Sequence, residues 1–178
     1  MQRPTPAEHV PYFEKYISLV PEGDLLAILD AQLTAVGSLA QAVPEERAGY
    51  RYAPGKWSIR EVLGHLIDTE RVFAYRALCI ARGDSRPLNG FEQDDYAAQA
   101  DADRASLRDL LLEFESLRRS NLAMLRRFRD ADWLRLGTAD GNTISVRALA
   151  YIMAGHVIYH LAILRDRYGV SPGAHGAP

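Results

Sequence analysis

The chain predicts an all-α protein built as a four-helix bundle, and three observations carry that prediction. Four segments repeat apolar residues at helical spacing, no segment alternates apolar and polar residues as a strand would, and no repeat of solenoid length is present. Four amphipathic helices of similar length bury their stripes most simply against one another. With 178 residues, 48% apolar and 25% charged, the chain fits one globular domain spanning residues 1–178. Residues 1–20 read as an N-terminal arm. Residues 170–178 read as a loose tail.

The first helix is expected from about Asp24 to Val43, with Leu25, Leu29, Leu33, Val36 and Ala40 on one stripe. Pro44 stops it, and a link containing Tyr50, Tyr52, Pro54 and Gly55 leads to Trp57. The second helix has the strongest local signal. Ser58 followed three residues later by Glu61 is a capping box, and Trp57 and Val62 flank it as a hydrophobic staple. Val62, Leu66, Phe73 and Ala77 then point inward, and the helix ends near Gly83.

Gly83 to Ala102 is long for a connection in a compact domain, which points to function or to cover over a site. It holds Phe91, Asp94, Asp95 and Tyr96. The third helix is expected from about Asp103 to Arg129, repeating Leu107, Leu110, Phe114, Leu117, Asn121, Leu125 and Phe128 near heptad spacing. Asn121 in that stripe reads as a hydrogen-bonded core amide. Ala139 to Asn142 reads as a turn. The fourth helix starts near Thr143 and runs to Tyr168, where Gly169 stops it, with Leu149, Met153, His156, His160 and Leu164 inside.

Several function classes are disfavoured. A net charge of −2 gives no global field for nucleic acid or an anionic membrane. Arg118, Arg119, Arg126, Arg127 and Arg129 are interleaved with Glu113, Glu115 and Asp130, so the run reads as a solvated helix face. Glu70 and Arg71 read as surface pairs. The single cysteine, Cys79, excludes an internal disulfide and fits a reducing cytoplasm. It lies fourteen residues beyond His65, roughly 20 Å along the helix, too far to join a site there. The N-terminal segment has no apolar run, so no signal peptide is expected, and no stretch reads as a membrane span.

The histidines are the informative residues. His156 and His160 are four apart, so a helix stacks both imidazoles on one face. His65 shares the inner face of the second helix with Val62 and Leu66. A lone inward histidine is usually a satisfied core residue, but three in one bundle are costly to satisfy without a shared partner. Three neutral imidazoles suit zinc, nickel, copper or iron and leave a coordination position open. Val157 stands where a zincin peptidase needs its glutamate, and no E-x-x-H motif offers di-iron carboxylates. His9 in the arm and His175 in the tail do not look like ligands. Glu61 and Asp68 lie four before and three after His65; the capping box occupies Glu61, leaving Asp68 as the weak candidate to orient the ring or a bound water. Tyr159 points away from its neighbour's ligand face.

The run from Tyr52 through Lys56-Trp57-Ser58 and His65 to Arg71 closely resembles the first-histidine segment of the DinB-like (YfiT-like) superfamily. Gly90 to Tyr96 resembles its acidic-aromatic loop, and Ala154 to His160 with Leu164 to Tyr168 its closing helix. The resemblance covers nearly the whole chain in order. It implies an up-down-down-up four-helix bundle, a metal (commonly zinc or nickel) on His65, His156 and His160, and a homodimer. It further implies an enzyme activating a low-molecular-weight thiol such as bacillithiol or mycothiol in S-transferase chemistry on a small-molecule substrate. Metal-dependent hydrolysis is the alternative, and a non-catalytic dimeric bundle the third reading. Many relatives carry a glutamine after the last histidine, where this chain has Leu161; no role for such a glutamine carries over.

Overall fold

The computed structural model describes residues 1–171; the expected loose tail beyond them and His175 lie outside the described residues. The elements are α1 (Glu14–Ile17), α2 (Leu25–Gln41), α3 (Ile59–Ala81), α4 (Gln93–Gln99), α5 (Leu107–Leu125), α6 (Asp130–Trp133), β1 (Leu136–Ala139), β2 (Asn142–Ser145) and α7 (Val146–Tyr168). Helices α2, α3, α5 and α7 form the bundle.

Local chemistry sets the helix starts. The Asp24 carboxylate accepts from Leu26 N–H, Ser58 forms the capping box with Glu61, and Ser106 forms another with Asp109. The third bundle helix therefore begins at Leu107 rather than near Asp103, after a turn in which Asp101 adopts φ 45°. Ser145 caps α7 by accepting from Ala148 N–H, so this helix starts at Val146 rather than Thr143. Gly169, at φ 66°, ends it in the left-handed conformation.

Interhelical contacts fix the topology. Gln32 reaches Ala154 and Arg47 reaches Tyr168, so α2 and α7 run parallel. Arg71 pairs with Glu113, and Arg82 lies over the Phe128 ring beyond the end of α5, so α3 and α5 also run parallel. Tyr168 donates to the Trp57 carbonyl while the start of α7 lies by the end of α3, so those two are antiparallel. The order is up-down-down-up, with α2 beside α5 and α7 and α3 beside the same two. This explains the long Gly83–Ala102 connection. After a 23-residue α3, about 35 Å long, the chain must return the length of the bundle before a parallel α5 can begin.

Strands were not expected, and a small hairpin is present. β1 and β2 pair antiparallel, joined by Asp140 at φ 52° and Gly141 at φ 70°. Both central residues are left-handed, as a two-residue type I′ turn requires, and Asp-Gly is a preferred pair for it. Four-residue strands are too short to show an alternation in sequence. Leu88 in the return segment bonds to Thr138 and Asp140 of the hairpin, tying both connections together over one end of α3 and α7.

The N-terminal segment is not a free arm. Tyr16, Ile17 and Val20 are buried, and α1 packs on α7. Glu8 accepts hydrogen bonds from Ser145 and Arg147, which anchors the segment to the start of α7. Helix α7 is also long and apolar enough to cross a membrane, contrary to the sequence expectation, with a mean hydropathy of 1.4 over its most apolar window. That window is 72% buried within the bundle. Its apolar surface faces the other helices.

A second departure lies in the core. Arg118 is fully buried rather than on a solvated face, and Glu70 pairs with it rather than at the surface. Arg118 Nε and Nη2 donate to the two Glu70 oxygens at 2.7 and 2.9 Å, and its Nη1 donates to Leu29 O and Gln32 Oε1. Asn121 donates to Glu70, and Gln32 Nε2 to Ala154 O. A polar layer thus links all four bundle helices, two residues from His156. Asn121 is the hydrogen-bonded core amide its position predicted.

Candidate metal centre

His65 belongs to the second turn of α3, and His156 and His160 to successive turns of α7. Because α3 and α7 are antiparallel neighbours, the start of one faces the later half of the other, and the three rings meet. One ligand atom from each lies within 4.8 Å of the others, and all three residues are buried. His65 Nε2 and His156 Nε2 are 3.0 Å apart, and the His156 and His160 ring centroids 4.4 Å.

Aromatic rings wall the cluster. Trp57, the staple residue, packs on His65 with centroids 4.6 Å apart. Tyr16 stands edge-on to His156 at 5.2 Å, and Tyr159 flanks His160 at 5.3 Å while packing on Tyr16. The Thr69 hydroxyl, one turn after His65, lies 3.4 Å from His65 Nδ1.

Burial decides the protonation states. Desolvation pushes the His65 imidazole down to about 4 and His160 to about 3, and holds His156 well below the ordinary histidine range. The neighbouring rings and the cationic Lys15 and Arg118 act on His156 in the same direction. The three rings are therefore neutral at physiological pH, with lone pairs available. The donor set fits a borderline divalent ion such as zinc or nickel. Among the described residues His160 Nδ1 is buried without a hydrogen-bond partner, as expected where the polar demand of a site is met by something other than the protein chain.

The cluster opens on a cavity of about 420 Å³. His65 and His156 lie on its wall with Tyr16, Thr69 and Phe73, while Phe91 and Asp94 come from the return segment and Thr143 and Ile144 from the hairpin. The long connection does lie over the site. A second recess of about 250 Å³, lined by Lys56, Trp57, His160 and again Asp94, borders the third histidine.

The other sequence candidates lie as follows. Asp68 is one-third exposed and 3.8 Å from Arg71; desolvation raises its carboxyl pKa while Arg71 opposes that, and no hydrogen bond joins it to His65 among the described residues. Glu61 is held by Ser58 N–H and Arg51. Cys79 is half-buried. His9 is buried near Glu14. Tyr159, expected to point away from the ligands, instead packs its ring against His160 and Tyr16, although it is not among the residues lining the main cavity. Sequence reasoning missed Tyr16 because it sits in the arm. It missed Thr69 although the i+4 spacing from His65 points to it.

The comparisons agree with the fold. Residues 28–164 match the family model of the DinB superfamily. A search of curated proteins finds no match. Among solved structures, YfiT from Bacillus subtilis, described as a probable metal-dependent hydrolase with an unusual four-helix bundle topology, superposes with a TM-score of 0.74 at 17% identity, covering 96% of this chain and 95% of that one. A mycothiol-dependent maleylpyruvate isomerase gives 0.69 at 13% identity, over 91% of this chain and 66% of its own. The DinB-like YjoA of Bacillus subtilis gives 0.58 at 18% identity, over 84% and 94%. The matched segment spans most of the chain, including all three histidines, and the chain belongs to the DinB superfamily.

Proposed function

We propose that this protein is a metal-dependent enzyme that holds one divalent ion, zinc or nickel, on His65, His156 and His160 and uses a low-molecular-weight thiol to attack a small electrophile. The observation that carries the reading is a cluster of three buried, neutral imidazoles, two of them on the wall of a cavity large enough for a small molecule. Bound there, the ion would supply stabilisation of the deprotonated form of a thiol or water at neutral pH.

The chain's own electrostatics favour an anionic partner. The ligands are neutral, so the charge of a divalent ion is uncompensated by them, and the Lys15 ammonium acts on both His156 and His160, whereas Arg118 is balanced by Glu70. Among the described residues, no carboxylate is hydrogen-bonded to the three rings. A thiolate is itself the nucleophile and needs no such base, which favours the thiol reading. The likeness to a mycothiol-dependent isomerase is consistent with it, as is the resemblance to thiol-using relatives. Tyr16 and Trp57 would exclude water from the rings, and Thr69 would hold the His65 ring in orientation.

Hydrolysis is the second reading, and Asp94 favours it. Its residue borders both the main cavity and the recess beside His160, placing an acid on the return segment above the histidines.

Metal analysis of protein purified without an affinity tag, beside a His156→Ala variant, tests the ion. Near-stoichiometric zinc or nickel lost in the variant supports the site; no metal in either, even after incubation with both ions, overturns it. Bacillithiol and mycothiol, each supplied with a panel of electrophiles, then separate the two chemistries. Turnover that requires the thiol supports the first reading, and thiol-independent ester or amide cleavage replaces it with the second.

A further inference from the structure

One face of α3 carries His65, Thr69, Phe73 and Arg76 in a row, at spacings of four, four and three, and all four line the 420 Å³ cavity. The row places the histidines at one end and a guanidinium at the other, about 16 Å away along the helix by rise per residue. Arg76 is only 5% exposed. Its one hydrogen bond among the described residues runs from Nη2 to the Asn89 carbonyl at 2.6 Å, and Phe73 and Phe91 flank it at 6.0 and 5.9 Å.

Other arginines nearby are neutralised. Arg71 pairs with Glu113 and Arg86 with Asp84, and both line a second cavity that shares Arg76 and Phe91 with the first. Arg118 in the core has Glu70. Arg76 forms no ion pair among the described residues. The acids on the same cavity wall, Glu92, Asp94 and Asp140, are all exposed to water at its rim, and the one that acts on Arg76 through space is Asp140. A buried arginine without a carboxylate is costly unless an anion completes it. Its forked donors match a planar carboxylate, and the phenyl groups of Phe73 and Phe91 suit an apolar body attached to one.

We propose that Arg76 is a specificity-determining residue that binds the carboxylate of the substrate, so that the cavity takes small organic acids with the reactive end directed along α3 towards His65. The assignment rests on reading this cavity as the substrate site, and does not require the metal.

The test uses benzoate and its neutral counterpart benzamide, with dissociation constants measured by ligand-observed NMR. The proteins are wild type with metal, wild type after chelation, Arg76→Gln and Arg76→Lys, each checked for folding by circular dichroism. Wild type is expected to prefer benzoate over benzamide by about tenfold or more, as a charge-assisted pair gives. Arg76→Gln should abolish the preference, Arg76→Lys should keep part of it, and the chelated protein should keep it whole. Equal binding of acid and amide by wild type overturns the proposal. So does a benzoate preference that survives Arg76→Gln, or one that disappears on chelation, which would make the carboxylate a metal ligand. If Arg76→Gln does not fold, the wild-type preference and its partial retention in Arg76→Lys decide the matter. Because the chelated arm is scored separately, failure of the metal reading leaves this result standing.

Discussion

Gly155 and Tyr16 are in backbone contact: a methyl group at position 155 would fall 2.0 Å from the Tyr16 carbonyl oxygen. The missing side chain lets α1 lie directly on α7, and so puts the Tyr16 ring against His156, the residue after the glycine. Alanine would gain about 1 kcal/mol of helix propensity here, but the clash is with main chain that has no rotamer to yield. Gly155→Ala is therefore expected to lower stability by ~1–3 kcal/mol and to raise proteolytic cleavage within residues 1–20. Denaturant melts and limited proteolysis check both.

The buried Arg118–Glu70 pair predicts a non-additive pattern. Arg118→Met alone leaves a buried carboxylate unpaired and is expected to cost ~3–5 kcal/mol. Adding Glu70→Leu removes that orphan, so the double variant should be more stable than Arg118→Met. A double-mutant cycle by urea denaturation measures the coupling. Equal or greater loss in the double variant would show that the pair is not what holds this layer.

Thr69 and Asp68 make opposite predictions for metal retention. Thr69 touches the His65 ring, whereas Asp68 faces Arg71. Thr69→Val should weaken zinc retention by roughly tenfold, the lower end for loss of a group that orients a ligand. Asp68→Asn should leave it within about twofold if its role is surface pairing. Competition with a chromogenic chelator reads both variants.

Glu8 gives the arm an acid-sensitive tether. Arg147, with smaller help from Thr5 and Ser145, holds its carboxyl at about 2, below its ordinary 4.5. A depressed carboxyl contributes stability that is complete above pH 4.5 and is lost as pH falls towards 2. Thermal melts of wild type and Glu8→Gln should therefore differ most above pH 5, with the gap narrowing as pH falls and closing only near pH 2. A constant gap across that range would mean that Glu8 acts through packing alone.

Much of the bundle was legible because its signals are local. The Ser58–Glu61 box, the apolar stripes and the proline and glycine stops depend on residues within a few turns of one another, and each appears where the pattern placed it. The histidine pair was legible for the same reason, since i and i+4 share a face in any helix. The Asp140-Gly141 turn was read, but the strands beside it were too short to declare themselves.

The sequence by itself determined four amphipathic helices, the Ser58–Glu61 cap and a histidine pair on one face, because helical period and capping are properties of neighbouring residues. Only the tertiary structure decided which helices touch. The parallel pairing of α3 with α5 forces the return segment across the cavity and brings Phe91 and Asp94 to the site. The antiparallel pairing of α3 with α7 brings His65 to His156, and the packing of all four buries Arg118 against Glu70. An isolated charged residue reads as solvated until the helix opposite supplies its partner, and that information lies 48 residues away in the chain.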